Sequence, residues 1–196
     1  MANYQKAIFP MKYMNISQSY NEGNHIPHWQ GADKGKADYP IDICGQDSGR
    51  DYFYAPCDCK ITMIQAKDTK KWTNKMILVS TKGVKTPVYG VIQIFFKVVH
   101  FPYECVPKYG LKVGKTFKKG EIICTEGNDA YSTGNHLHLS QGIGYANKSI
   151  YNKGILKKNR KLVANGDNKY PQSIFYLDTN FTKHIKRDAG IKWHKI

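Results

Sequence analysis

Hydrophobic residues occur along this chain in short runs, separated by turns, as is typical of β-strands. Ile41–Cys44 alternates apolar and polar side chains and ends at Gly45. Further β-branched or aromatic runs follow at similar intervals, at residues 59–64, 76–80, 89–100, 121–124 and 137–140. No window of about 12 residues shows the i, i+3, i+4, i+7 spacing of an amphipathic helix. The pattern predicts a mostly β, antiparallel fold with long loops.

Two other stretches lack the strand pattern and are predicted to be loops. Residues 1–37 are polar and rich in turn residues, and residues 142–170 are rich in Gly, Asn and Lys. Residues 171–177 are apolar enough to pack back on the core. A chain of 196 residues fits one domain. We expect a single domain over 1–196, with a core at about 17–142 and a loop-rich C-terminal extension, 143–196, packed on it.

The charge of the chain is strongly positive. Lys and Arg number 30 against 15 Asp and Glu, which gives a formal net charge of +15 and implies attraction to polyanions. Only three of the basic residues are arginine, the side chain suited to bidentate phosphate and base contacts. Two interpretations stay open, a solvated lysine-rich surface without a specific partner and diffuse attraction to anionic wall polymers, and we expect no nucleic-acid partner. A nucleic-acid-binding β-barrel is the rival, and it predicts steeply salt-dependent binding.

The number of cysteines, the length of the apolar runs and the first residues of the chain bear on the cellular compartment of the protein. The five cysteines are an odd number, which favours reduced thiols over a disulfide framework, and Cys57 and Cys59 fit the role of small buried hydrophobes. The longest apolar runs are far shorter than the ~20 residues that a membrane span needs. Residues 1–6 lack the pattern of a signal peptide. We expect neither a membrane span nor export by a signal peptide.

The strongest chemical signal is the pair His136 and His138 in a β-type run. On a strand, residues two apart project to the same face, about 6.5–7 Å apart along the chain. Two histidines and a carboxylate, with the fourth position open, form a common hydrolytic zinc site. Asp38 and Asp42, four apart on an extended segment, share one face. Asp42 is the polar residue of an apolar strand and needs a compensating partner or metal.

Four segments in consistent order resemble the M23 (LytM/lysostaphin-like) peptidases. They read YPIDICG at 39–45, YAPCDCKI at 54–61, KVGKTFKKGE at 112–121 and STGNHLH at 132–138. The resemblance covers roughly residues 17–142 and is nearest to the bacteriophage cell-wall lysin branch. It implies an antiparallel, sheet-based fold of the duplicated-hybrid-motif type.

The resemblance also implies roles for four residues. Asp42 and His138 take the positions of two zinc ligands. His136 matches the catalytic histidine of the family, and His100, which closes an apolar run, matches its other active-site histidine.

The first zinc ligand stays open, because the usual histidine four residues before the aspartate is Asp38 here. In the phage-type pattern His28 supplies it, and we favour His28. Asp38 and His25 are the alternatives. A set of one histidine and two aspartates would bind zinc less well than two histidines and one aspartate.

The function implied by the resemblance is a zinc-dependent endopeptidase that cleaves peptide stems or cross-bridges of bacterial peptidoglycan. A phage endolysin would stay in the host cytoplasm until lysis, whereas a virion-associated lysin would sit in the tail beside other tail proteins. Both act on the cell wall. The alternative is a catalytically degenerate M23-like module that binds the wall or serves a structural role.

Overall fold

A large, mainly antiparallel β-sheet is the central feature of the computed structural model, which describes residues 4–26, 38–46, 49–128, 132, 134–145 and 167–196. The strands are β1 Tyr13–Gln18, β2 Ile41–Cys44, β3 Tyr52–Tyr54, β4 Cys59–Gln65, β5 Lys75–Ser80, β6 Val84–Thr86, β7 Gly90–Ile92, β8 Ile94–Val99, β9 Thr116–Phe117, β10 Ile122–Thr125, β11 Leu137–Ile143, β12 Asp167–Asn168 and β13 His184–Arg187. Short helices are α1 Cys105–Tyr109, α2 Pro171–Ile174 and a 3₁₀ helix Gly23–His25.

The strand order places β2 and β11 side by side within the large sheet. That order is β13-β1-β2-β11-β8-β5-β4-β9, with β12 paired to β11. Only the β1–β13 pairing of the described strands in this sheet is parallel. Two small sheets, β10–β3 and β6–β7, flank it. The predicted mostly β, antiparallel fold class is confirmed.

Apolar side chains cover the large sheet on both faces. Met76 and Leu78 of β5 belong to the main buried cluster, which includes residues from Ala7 to Ile191. Ile77 and Val79, which alternate with them, belong to a smaller second cluster. Because successive residues of a strand point to opposite faces, the two clusters lie on opposite sides of β5. This explains why β5 reads as a continuous apolar run rather than an alternating one.

Three sequence predictions about local structure need correction. The predicted N-terminal loop contains β1, in which the polar residue Asn15 is buried together with Met14 and Ile16. The single strand predicted at 89–100 is two strands, broken at Gln93, whose Nε2 donates to the carbonyl of Ser80 at 3.0 Å. The loop predicted at 142–170 includes the end of β11 and all of β12. Residues 146–166 of that segment lie outside the described residues.

Two other local predictions, on the segment after residue 170 and on the cysteines, are confirmed. The segment after residue 170 packs on the core, with Ile174 and Phe175 fully buried. All five cysteines are free thiols, and Cys57 and Cys59 are fully buried. Within the part of the chain that the structure describes, no helix combines the length and the apolar character needed to cross a membrane.

Candidate functional site

Two neighbouring strands place an aspartate directly opposite a histidine. Ile41 and Ile43 of β2 are buried, so the alternation of the strand turns Asp42 to the other face. The register of β2 and β11 pairs Asp42 with His138. His138 Nδ1 lies 3.1 Å from Asp42 Oδ1. The polar residue of an apolar strand thus has the partner that its position demands.

The 3₁₀ helix adds a second histidine to the same carboxylate. His25 is 4% exposed, and its Nε2 lies 3.3 Å from Asp42 Oδ1. Its Nδ1 lies 3.0 Å from the carbonyl oxygen of Ser19. A carbonyl accepts only, so Nδ1 carries the proton and Nε2 presents a lone pair toward Asp42. The rings of His25 and His138 meet edge to face, with centroids 5.0 Å apart.

These three side chains form a donor set that fits a zinc ion. One ligand atom each from His25, Asp42 and His138 lies within 4.8 Å of the others. Two imidazole nitrogens and one carboxylate oxygen are a donor combination used by catalytic zinc sites, which keep a fourth position open. The hydrogen bond from His25 to the Ser19 carbonyl is the outer contact typical of a metal-binding histidine.

His136 lies beside this cluster without belonging to it. Its Nδ1 lies 3.0 Å from the carbonyl oxygen of Gly134 and 3.1 Å from Ser132 Oγ. The carbonyl can only accept, so Nδ1 carries the proton. Nε2 is then left as an acceptor, 3.9 Å from Asp42 Oδ2. His136 and His138 therefore both point to Asp42, as expected for residues two apart on extended backbone.

His100 completes the group from the end of β8, in a backbone conformation that is uncommon for a residue with a side chain. Its φ of 73° lies in the left-handed region. Its N–H donates to the carbonyl of Asn74 at 2.8 Å. The ring centroid of His100 is 4.9 Å from that of His136 and 6.4 Å from that of His138. Strained backbone of this kind is concentrated at functional sites.

Burial and pairing shift the pKa values of three of these groups. Burial alone would raise the pKa of Asp42, but the adjacent imidazoles of His138 and His25, which can stabilise its charge, outweigh burial and hold that pKa below its ordinary value. Burial lowers the pKa of His138 to about 4, and nearby Lys97 acts in the same direction. Burial also lowers the pKa of His136. At neutral pH Asp42 is therefore a carboxylate and His138 a neutral imidazole, the states that bind a metal.

A cleft opens next to His136. It has a volume of about 350 Å³ and lies within the range of small-molecule sites. It is lined by Ser17, Cys44, Gly49, Glu126, Gly134, Asn135 and His136.

The structure brings together four of the residues selected from sequence: Asp42, His138, His136 and His100. The favoured first ligand, His28, lies outside the described residues. The alternative Asp38 is not part of the three-residue cluster, and His25, the other alternative, is.

Sequence reasoning did not select Ser19 or Ser132, whose atoms orient His25 and His136. A backbone carbonyl leaves no signal in a sequence. Ser132 does open the STG segment that carries part of the M23 resemblance, and that segment could have identified it.

The chain is similar to a phage protein and to several solved structures. No family model matches the chain. Morphogenesis protein 1 of Bacillus phage B103 is 31% identical over 141 residues, which are 69% of this chain and 32% of that protein. The chain thus spans about a third of the length of this curated relative.

Solved structures similar to the chain include peptidases. One is a zinc-containing peptidase from Vibrio cholerae, with a TM-score of 0.43 and 14% identity over 72% of this chain and 37% of that one. Another is lysostaphin, an antimicrobial peptidase from Staphylococcus simulans, with a TM-score of 0.45 and 18% identity over 85% of this chain and 52% of that one. The predicted resemblance to M23 (LytM/lysostaphin-like) peptidases is confirmed. The activity of this chain has to be inferred from its own residues.

Proposed function

We propose that this protein is a zinc-dependent endopeptidase that cleaves peptide stems or cross-bridges of bacterial peptidoglycan. The observation that carries the proposal is the convergence of His25, Asp42 and His138 within 4.8 Å, with the rings of His136 and His100 beside them. A module freed from catalysis has no reason to hold five such side chains around one point.

Each residue has a chemical task in this proposal. His25 Nε2, His138 Nδ1 and the carboxylate of Asp42 would hold the metal. Bound zinc supplies Lewis acidity, which polarises a carbonyl and lowers the pKa of water toward ~7. His136 receives a proton from the attacking water at Nε2, because its Nδ1–H is committed to Gly134.

His100 acts on the substrate from a position beside His136. Its ring lies close to that of His136 and farther from that of His138, so it reaches the substrate beside the metal rather than the metal itself. It hydrogen-bonds the tetrahedral oxyanion or protonates the leaving amine.

The wall substrate follows from the resemblance and agrees with the charge. The excess of lysine over acidic residues attracts the chain to polyanionic walls and raises the rate of encounter with them. The match to a phage protein named for morphogenesis supports a phage origin and a place in the virion tail, next to other tail proteins. Release from the host cytoplasm at lysis is the other location. Mass spectrometry of purified virions distinguishes the two, because only a tail component is retained in them.

Incubation of the purified chain with isolated walls tests the activity. Mass spectrometry of the released fragments identifies the bond cut, and elemental analysis counts zinc per chain. We expect new amino termini in the peptide part, about one zinc per chain and loss of release with a chelator, restored by zinc. Wall binding without fragment release would favour the degenerate module instead.

A further inference from the structure

A second aspartate lies next to the site without joining the metal cluster. Asp38 sits four residues before Asp42, at the position where the M23 pattern places a histidine ligand. Its carboxylate is not within the group formed by His25, Asp42 and His138. Instead Asp38 Oδ2 accepts a hydrogen bond from Ser140 Oγ at 3.1 Å. Asp38 is therefore turned toward the strand that carries His138.

The sheet register places three polar residues in contact across adjacent strands. Ser140 lies two residues after His138 on β11, so both project to the same face. Lys97 of β8 is the direct cross-strand partner of Ser140. Lys97 Nζ lies 3.6 Å from Asp38 Oδ2. We call Asp38, Ser140 and Lys97 the outer triad.

The outer triad contacts the nitrogen of His138 that does not face Asp42. Ser140 Oγ lies 3.5 Å from His138 Nε2, whereas Asp42 Oδ1 lies 3.1 Å from Nδ1. The two edges of one imidazole thus face two different aspartates, one directly and one through a hydroxyl. Ser140 is 2% exposed, so water does not readily replace its hydroxyl.

The chemistry of the groups decides which one donates the proton in each of these contacts. The Asp38 carboxylate only accepts, so the Ser140 hydroxyl gives its proton to Asp38 and offers a lone pair to His138. Ser140 Oγ can therefore accept from neutral His138 only in the tautomer with the proton on Nε2. In that tautomer Nδ1 is unprotonated and free for a metal, whereas the other tautomer donates Nδ1–H to Asp42. The ammonium of Lys97 offsets the charge of Asp38 in this half-buried setting.

We propose that the outer triad is a positioning device for His138: Asp38, acting through Ser140 and balanced by Lys97, fixes the tautomer and ring orientation that present Nδ1 to the metal. This inference rests on the proposed function in one respect, that His138 is a zinc ligand. It assigns Asp38 to an outer contact although its sequence position is that of a ligand. Contacts of this kind raise metal affinity by about 10- to 100-fold.

The decisive measurement is the zinc dissociation constant of the full chain, by competition with a chelator, for Ser140→Ala and Asp38→Asn. We expect each variant to bind zinc about 10- to 100-fold more weakly than wild type. Ser80→Ala is the matched control, because Ser80 is equally buried in the same sheet and its hydroxyl oxygen accepts from the N–H of Ile94. It should leave zinc affinity unchanged. Affinities of Ser140→Ala and Asp38→Asn within twofold of Ser80→Ala would overturn the proposal.

A second readout does not depend on zinc. Nitrogen-15 NMR of the metal-free chain reports which nitrogen of His138 carries the proton. We expect a larger share of the Nε2–H form in wild type than in Ser140→Ala, since in the variant Nε2–H loses its acceptor while Nδ1–H keeps Asp42 as its acceptor. A purely structural triad would lower the unfolding temperature without changing this ratio. If wild type binds no zinc, the proposed function fails, and the NMR result then still shows whether the triad sets the tautomer.

Discussion

Asp42 and His138 are direct cross-strand partners in β2 and β11, with 3.1 Å between the carboxylate oxygen and the imidazole nitrogen. Such pairs are fixed by register, since a slip of β2 by one residue would turn Asp42 to the opposite face. Buried Ile41 and Ile43 prevent that slip. The buried isoleucines of β2 therefore keep Asp42 on the face of the sheet that carries the site.

Substitution of the proposed ligands should abolish zinc retention. We expect His25→Ala and Asp42→Ala to lose measurable zinc in elemental analysis, because each removes one of three converging donors. His28→Ala, the residue favoured by sequence, is the informative comparison and should retain zinc. Loss of zinc in His28→Ala with retention in His25→Ala would reverse the assignment of the first ligand.

His136 should separate catalysis from metal binding. His136→Ala is expected to keep about one zinc per chain, because His136 lies outside the three-residue donor set. Its wall-lytic rate should fall by about 10²–10⁴-fold, the usual contribution of a positioned proton carrier. Turbidity loss of wall suspensions, with zinc measured on the same sample, checks this. Full lytic activity in His136→Ala would disprove its role.

The sequence predicted the parts of the site that lie on regular strands. Alternation identified Asp42 as the polar residue of an apolar strand, and two-residue spacing placed His136 and His138 on one side. His25 was harder to select, because a 3₁₀ helix outside the sheet brings it to Asp42. Ser140 looks like an ordinary solvent-facing strand residue in the sequence, and only the sheet register shows that it faces Lys97.

The errors in the fold have similar physical causes. β1 was missed because it mixes Asn15 and Ser17 with its apolar residues, and its burial depends on packing that strand propensity does not contain. The break at Gln93 depends on a hydrogen bond to Ser80, a residue of another strand. Both β1 and the break at Gln93 thus depend on contacts between residues that are far apart in the sequence.

Gly127 should be sensitive because it has no room for a side chain. A Cβ atom at this position would lie 2.0 Å from the carbonyl oxygen of His100 and 2.9 Å from the nitrogen of Pro102. Gly127→Ala must therefore displace His100, and we expect at least a tenfold loss of lytic rate with zinc retained. At Gly134 an added Cβ meets nothing within 4 Å, so Gly134→Ala is the control and should keep the wild-type unfolding temperature. Equal activity of Gly127→Ala and wild type would contradict the placement of His100.

Alkylation of the folded protein should modify only one cysteine. Cys44 is partly exposed, whereas the other four thiols are buried. Burial raises the pKa of Cys57 to about 12, which leaves almost no reactive thiolate at neutral pH. Iodoacetamide followed by mass spectrometry should show one adduct in the native state and five after denaturation. Cys44→Ser should give no native adduct, and native labelling of Cys57 would contradict the packing.

Acidification should destabilise the metal-free protein in a defined pH window. Burial lowers the pKa of His138 to about 4, whereas an unfolded histidine has a pKa near 6.5. Between these values the unfolded chain binds a proton at His138 that the folded chain does not, so the free energy of unfolding falls as the pH drops from about 6.5 to about 4. The lowered pKa of His136 acts in the same direction.

The contribution of His138 to this fall is about 3 kcal/mol. Urea unfolding of the metal-free chain at several pH values measures the slope, and His138→Gln, which cannot take up a proton, should flatten it. Asp42 acts in the same sense at lower pH, because its lowered pKa gives stability that is lost as the pH falls from the unfolded pKa near 3.9 toward the lower pKa of the folded state. A free energy of unfolding that stays constant from pH 6.5 to 4 would mean that His138 is protonated in the folded chain, and the neutral, metal-binding form of the site would then be wrong.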